Sequence, residues 1–364
     1  MFDFITEIKQ LFESAKSAPA RTRTNFTIPK ANGTPFVERQ HYMQILINEM
    51  YLAHERRWWV EYSPVALVAT TYLYGNDYQT APIVIGPNLF KQYSNDVGDG
   101  VIIRNAPVTS LHPYQGGPVT PTVLFSKVER QDNSDKVLDV LEGFAEVANP
   151  IMPALPFTSY LKIAGSVMAG LRTLINLPRT QPILAYRDTI NPDIKQKLAP
   201  VHLVLIDTPT LSDAEKKRFR VKDSQLYYGD SDQSSTPYRD NDFILLEIAQ
   251  GDKRTDERTL SFYPLWQETR KLGLEAAKQD GFWQEAKNHF NTLKVAITES
   301  ADLTESDIKR LRTEYLNEMK AIRQGHAEDA LLRSGELAGT KEPDKAMLGV
   351  YQQIAKELDQ LDEL

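Results

Sequence analysis

The sequence predicts an α+β protein: a β-rich core of sandwich-like or mixed antiparallel sheets with inserted helices, followed by a helical C-terminal region. Three observations carry this. Short runs dense in aromatic and branched residues, separated by turn residues, recur over residues 36–130 and 183–249. Between those two stretches the apolar residues switch to a helical period, and after residue 260 they keep that period almost to the end. With 364 residues, 41% of them hydrophobic and 25% charged, the chain has enough apolar surface for a sizeable core. The divisions that follow are an amphipathic helix over 1–16, a β-rich domain over 36–255 and a helical region over 256–364.

Taken in order, Phe4, Ile5, Ile8, Leu11, Phe12 and Ala15 make the apolar stripe of the first helix, with Asp3, Thr6, Gln10 and Glu13 opposite. Its mixed polar face suits docking on a protein surface better than a lipid one, though peripheral membrane contact stays open. A polar linker over 17–25 follows. Strands are predicted at 58–62, 65–74, 83–85, 101–104 and 119–128, broken by Ser63-Pro64, Gly75-Asn76-Asp77 and Gly86-Pro87-Asn88. The stretch 42–52 fits a strand, and through Tyr42, Ile45, Leu46 and Glu49 also a helix. Val137, Leu138, Leu141, Phe144, Ala145 and Ala148 predict an inserted helix over 133–148, stopped by prolines. A second, over 158–176, is apolar on most sides and therefore buried. Further strands are predicted at 183–186, 201–206, 225–228 and 243–249. Phe282, Ala286, Phe290, Leu293 and Ile297 share one helical face. Ile308, Leu311, Tyr315, Met319 and Ile322 share another, behind Thr304 as N-cap. Tyr351, Ile354, Leu358 and Leu361 line a last helix.

Composition excludes several function classes. The chain has no cysteine, so it has no disulfide, thiolate zinc site or cysteine nucleophile. A net charge of −7 disfavours nucleic-acid binding, which concentrates Lys and Arg. No run reaches the roughly 18 apolar residues of a membrane span, and the start lacks a basic, then apolar, leader, so a cytoplasmic location is expected.

The stretch from Tyr227 to Asp242 is the most metal-like. Asp230, Asp232 and Ser234 fit the first EF-hand positions, but Ser235 stands where the glycine is needed and Asn241 where the bidentate glutamate is needed. A looser calcium site follows if 225–230 and 242–249 pair as a hairpin. Asp230, Asp232, Asp240 and Asp242 would then converge as hard oxygen ligands. The competing reading is a solvated turn whose carboxylates make local Asx bonds.

The histidines at 41, 54, 112, 202, 289 and 326 lack zincin spacing. The serine in Gly165-Ser166-Val167-Met168-Ala169-Gly170 is one residue out of place for a nucleophile elbow. Gly98 to Gly100 and Gly116-Gly117 lack a phosphate-loop pattern and read as turns. The basic–aromatic cluster Arg56, Arg57, Trp58 and Trp59 is the candidate partner-binding surface, because Trp and Arg dominate binding hot spots. Its alternative is a strand with one buried Trp and an Arg laid over the other. The function expected is an intracellular, non-enzymatic binding or scaffold protein that contacts a protein partner, or a second copy, through its β-rich domain and terminal helices. The alternatives are a calcium- or lipid-responsive β-sandwich module and a hydrolase using carboxylates such as Asp207 and Asp242.

Overall fold

The computed structural model describes residues 24–31, 33–52, 62–85, 94–97, 100–129, 181–190, 198–208, 210–276 and 281–333. The helices predicted over 1–16, 133–148, 158–176 and 343–361, and the Arg56–Trp59 cluster, lie outside these residues. The protein is α+β, with antiparallel sheets and C-terminal helices. It divides into two compact units, Met1–Arg254 and Thr255–Leu364.

Among the described residues of the first unit every strand pair is antiparallel. One sheet orders β1 (Thr24–Pro29), β10 (Val201–Ile206), β14 (Phe243–Gly251), β2 (Tyr42–Leu52), β6 (Gly100–Pro107) and β5 (Ser94–Val97), with the short β7 (His112–Pro113) also pairing β2. A second orders β4 (Asp77–Ile85), β3 (Tyr62–Tyr74), β8 (Thr120–Glu129) and β9 (Gln181–Arg187). A third, small sheet orders β11 (Phe219–Lys222), β12 (Gln225–Tyr228) and β13 (Thr236–Pro237).

The helical option for 42–52 gives way to strand. Residues three apart point to opposite sides of a strand, and Tyr42 and Ile45 are both buried, so β2, paired between β14 and β6, is covered on both faces. Leu245 pairs with Glu49 and Leu246 with Ile47, which makes Asn48 the extra residue of a β-bulge. The polar linker corrects in part as well: from Thr24 the chain is β1. Its Thr-Asn-Phe-Thr-Ile alternation suits an edge strand with one face covered, and Pro29 is tolerated because an edge needs no donor on its free side. A one-turn helix, α1 (Asp213–Lys216), rests on a capping box in which Ser212 and Glu215 satisfy each other's backbone.

The small sheet packs its inner face on one end of the large sheet. Phe219, Leu226 and Tyr238 join Tyr51, Val204, Ile206, Phe243 and Leu245 in one buried cluster. Elsewhere Tyr72 of β3 stacks on His112 of β7 with ring centres 3.9 Å apart, a contact between the four-stranded and seven-stranded sheets.

The second unit holds α2 (Tyr263–Glu275), α3 (Gly281–Thr298) and α4 (Glu305–Arg333), behind a 3₁₀ turn at Glu257–Thr259. Ala286, Phe290, Leu293 and Ile297 of α3 and Leu311, Tyr315 and Met319 of α4 are buried in one core, as their spacing predicts. Trp266 stacks on Tyr315 at 4.2 Å. Gly273 is there for closeness, since a Cβ would sit 3.2 Å from the Met319 methyl. Thr304 caps α4: its Oγ1 accepts from the Asp307 N–H at 3.4 Å and its carbonyl accepts from Ile308 at 2.9 Å. Among the described residues no helix is long and apolar enough to cross a membrane.

Candidate functional site

The aspartate-rich stretch separates into two connections. The hairpin of 225–230 with 242–249 does not form, because β12 pairs with β11 and β13 while β14 pairs with β10 and β2. Asp230 and Asp232 therefore lie in the β12–β13 loop, and Asp240 and Asp242 in the β13–β14 link. The first two carboxylates are occupied. Asp230 Oδ1 meets Arg218 Nε at 2.8 Å and Asp232 Oδ1 meets Arg220 Nε at 2.8 Å. Asp240 is exposed, and Asp242 is buried with its carbonyl accepting from the Asp207 N–H at 2.9 Å. Among the described residues no group of three or more His, Asp or Glu side chains is placed to hold a metal ion.

What the loop builds is a ladder. Arg220 and Lys222 alternate along β11 on the face away from Phe219, and Arg218 precedes them in the same phase. Arg220 also donates to the carbonyls of Gly229 and Asp230, and Lys222 donates to the Asp232 carbonyl and to Ser235 Oγ. Tyr227, opposite Arg220, lies 5.1 Å from the Lys222 ammonium, and the Arg218 guanidinium covers Tyr228 at 4.4 Å. Ser231 and Ser234 close the loop tip on each other. Gly229 makes the fold-back possible, since a Cβ there would stand 2.6 Å from Ser235 Cα.

A second polar group is buried in the large sheet. Glu247 of β14 holds the Lys30 ammonium and accepts from Asn48 Nδ2 at 2.6 Å, with His202 Nε2 3.7 Å away. Burial pushes its carboxyl up, but the His202 imidazole, Lys30 and Asn48 together outweigh burial and bring it down to about 2. Leu46 pairs with Glu247, so Asn48, two residues on, lies on the same face, and the bulge brings Glu49 to that face beside it. Nearby on the same sheet Glu49, fully buried, accepts from Arg239 and from the Leu226 N–H, both at 2.8 Å. His112 is buried as well, and burial drives its imidazole down to about 4, with the Arg254 charge adding to the effect. These groups bind strands and sheets to one another.

The third group is at the surface. The Gly116-Gly117 turn, with φ of 83° and 74°, passes beneath two side chains. Cβ atoms there would stand 3.1 Å from Glu38 Oε2 and 3.0 Å from the Tyr78 hydroxyl. Tyr114 packs below, its ring 5.3 Å from Phe36 and its phenol pushed up by burial and by the Glu38 charge. The facing turn is tight: Arg39 takes a φ of 58°, its N–H donates to the Tyr114 carbonyl at 2.7 Å, and His41 Nδ1 accepts from the Val37 N–H at 2.9 Å. Val37, 38% exposed, and Tyr78, 50% exposed, are the large hydrophobics that the described part of this unit leaves in solvent. Both belong to this corner.

Sequence reading passed over the corner because Gly116-Gly117 marks only a turn. What lies on that turn comes from Glu38 and Tyr78, brought there by folding. No known family, curated protein or solved structure matches the chain.

Proposed function

We propose that the chain is a non-enzymatic binding or scaffold protein of the cytoplasm, which meets a protein partner through its β-rich unit. The observation supporting this is the corner of Val37, Glu38, Arg39 and Tyr78 around Gly116-Gly117. It offers an exposed aromatic and an aliphatic side chain with charged neighbours at the rim, the usual layout of a recognition patch. The Arg39 N–H bond to the Tyr114 carbonyl and the Val37 N–H bond to His41 tie the patch to the turn beside it, so less ordering is left for the moment of binding. The amphipathic helices predicted at the two ends of the sequence would add contacts to the same partner.

The test is a photo-crosslinking amino acid placed at position 78 in cells that make the protein, with one at Thr298 as an exposed control on α3. A discrete crosslinked polypeptide from position 78 and not from 298 is the expected result. Identical patterns from both positions would remove the corner as an interface.

A further inference from the structure

We propose that the outer face of the three-stranded sheet is a docking rail for an extended acidic segment of a protein partner, and that the chain's own loop 229–235 occupies the rail in its absence. The inference rests on the reading of the chain as a binding protein, but on different residues from the corner.

The first reason is repeat matching. Cations at alternate strand positions stand about 6.7 Å apart on one face. Arg220 and Lys222 have this spacing on β11 and Arg218 stands in the turn just before it, and the loop answers with carboxylates at alternate positions, Asp230 on Arg218 and Asp232 on Arg220. An extended peptide with acidic residues at every second position carries the same repeat. The second reason is that the loop fills the rail incompletely. Lys222 receives only neutral oxygens from it, the Asp232 carbonyl and Ser235 Oγ. A segment with three alternating acids would place a carboxylate there as well. The third reason is ease of exchange. Asp230 and Asp232 are 81% and 76% exposed, and ion pairs so open to water hold weakly. The rail itself does not depend on the loop. Phe219 and Leu226, on the other face of the sheet, are fixed in the core, and Arg218 lies along the Tyr228 ring. Guanidinium forks suit carboxylates and phosphates alike, and the groups they hold here are the carboxylates of Asp230 and Asp232, which favours an acidic protein segment.

The experiment uses the full chain and a fluorescently labelled Asp-Ser-Asp-Ser-Asp peptide, followed by anisotropy at low salt. D230N/D232N keeps the loop's length, Gly229 and its serines while removing the competing charges. The expected result is peptide binding about fivefold tighter than to the wild type, since two weak competing pairs are gone. Adding R220Q returns the affinity to baseline, and salt weakens binding throughout. If folded D230N/D232N, with an unchanged melting temperature, binds the peptide no tighter than the wild type, the proposal is overturned. A short single-stranded RNA that outcompetes the peptide overturns the acidic-protein assignment. Should D230N/D232N fail to fold, wild type answers instead: saturating peptide must speed amide exchange in 229–235, and unchanged exchange overturns the proposal. Crosslinking at position 78 reads the corner separately, so loss of either surface leaves the other standing.

Discussion

Glu49–Arg239 and Asp232–Arg220 are both arginine–carboxylate contacts of 2.8 Å, yet the Glu49 carboxylate is 0% exposed and that of Asp232 76%. Glu49 also takes the Leu226 N–H, so one carboxylate fastens β2 to the small sheet through both β12 and the chain beyond β13. Arg239 lies over the Tyr51 ring at 5.1 Å, which shields it from water on one side. The contact length is shared and the surroundings decide the energy. Breaking the inner pair leaves a mostly buried charge without its partner, whereas breaking the outer one returns both groups to solvent.

The largest expected effect is accordingly Glu49→Ala, which leaves Arg239 and the Leu226 N–H unsatisfied together. A loss of about 3 kcal/mol in urea unfolding is expected, and a loss below about 1 kcal/mol would erase the contrast. His112 sharpens it by pH. Its folded value of about 4 lies below the ordinary 6.5, so the unfolded chain takes up a proton first. Stability should therefore fall as pH drops from 6.5 towards 4, by up to about 3 kcal/mol, and H112Q should flatten that slope. Glu247 acts lower still. Its contribution is complete above 4.5 and is lost as pH falls towards 2, so E247Q should remove the acid limb of the melting-temperature profile below 4.5. Gly117→Ala is a smaller change, combining a left-handed backbone with a Cβ 3.0 Å from the Tyr78 hydroxyl. It should cost about 1–2 kcal/mol, with part of the loss recovered by adding Tyr78→Phe. Smallest is Asp230→Asn, expected to stay within about 0.5 kcal/mol by thermal unfolding.

Much of the fold was legible where the signal is local. The stretch 203–206 is continuous in apolar residues because β10 is covered on both faces, and Phe290, Leu293 and Ile297 reach the core that their period predicts. Thr304 was readable as a cap for the same reason: its partner is three residues away. The β1 strand was hidden because an edge strand needs apolar residues on one side only, and threonine and asparagine mask the alternation. The pairing of β12 was misread because 219–222 was not predicted as a strand, although Phe219 and Val221 alternate there with Arg220 and Lys222. Of the surface sites, the aspartates were visible and their arginine partners were not. Alternating Arg218, Arg220 and Lys222 carry no signal until a strand places them on one side. The corner was the least legible, since Glu38, Tyr78 and Gly117 share no spacing.

The order of the large sheet also has a consequence for synthesis. Lys30 waits for Glu247, 217 residues later, and Glu49 for Arg239, 190 residues later. At ordinary translation speeds, those partners emerge from the ribosome roughly 10–40 s after β1 and β2. Through that interval the edge of β2 that will take β14 is open, β1 stays unpaired until β10 emerges, and the carboxylate of Glu49 remains in water. The seven-stranded sheet is therefore closed from its C-terminal strands, and the nascent chain carries β2 with an unfinished edge until β14 arrives.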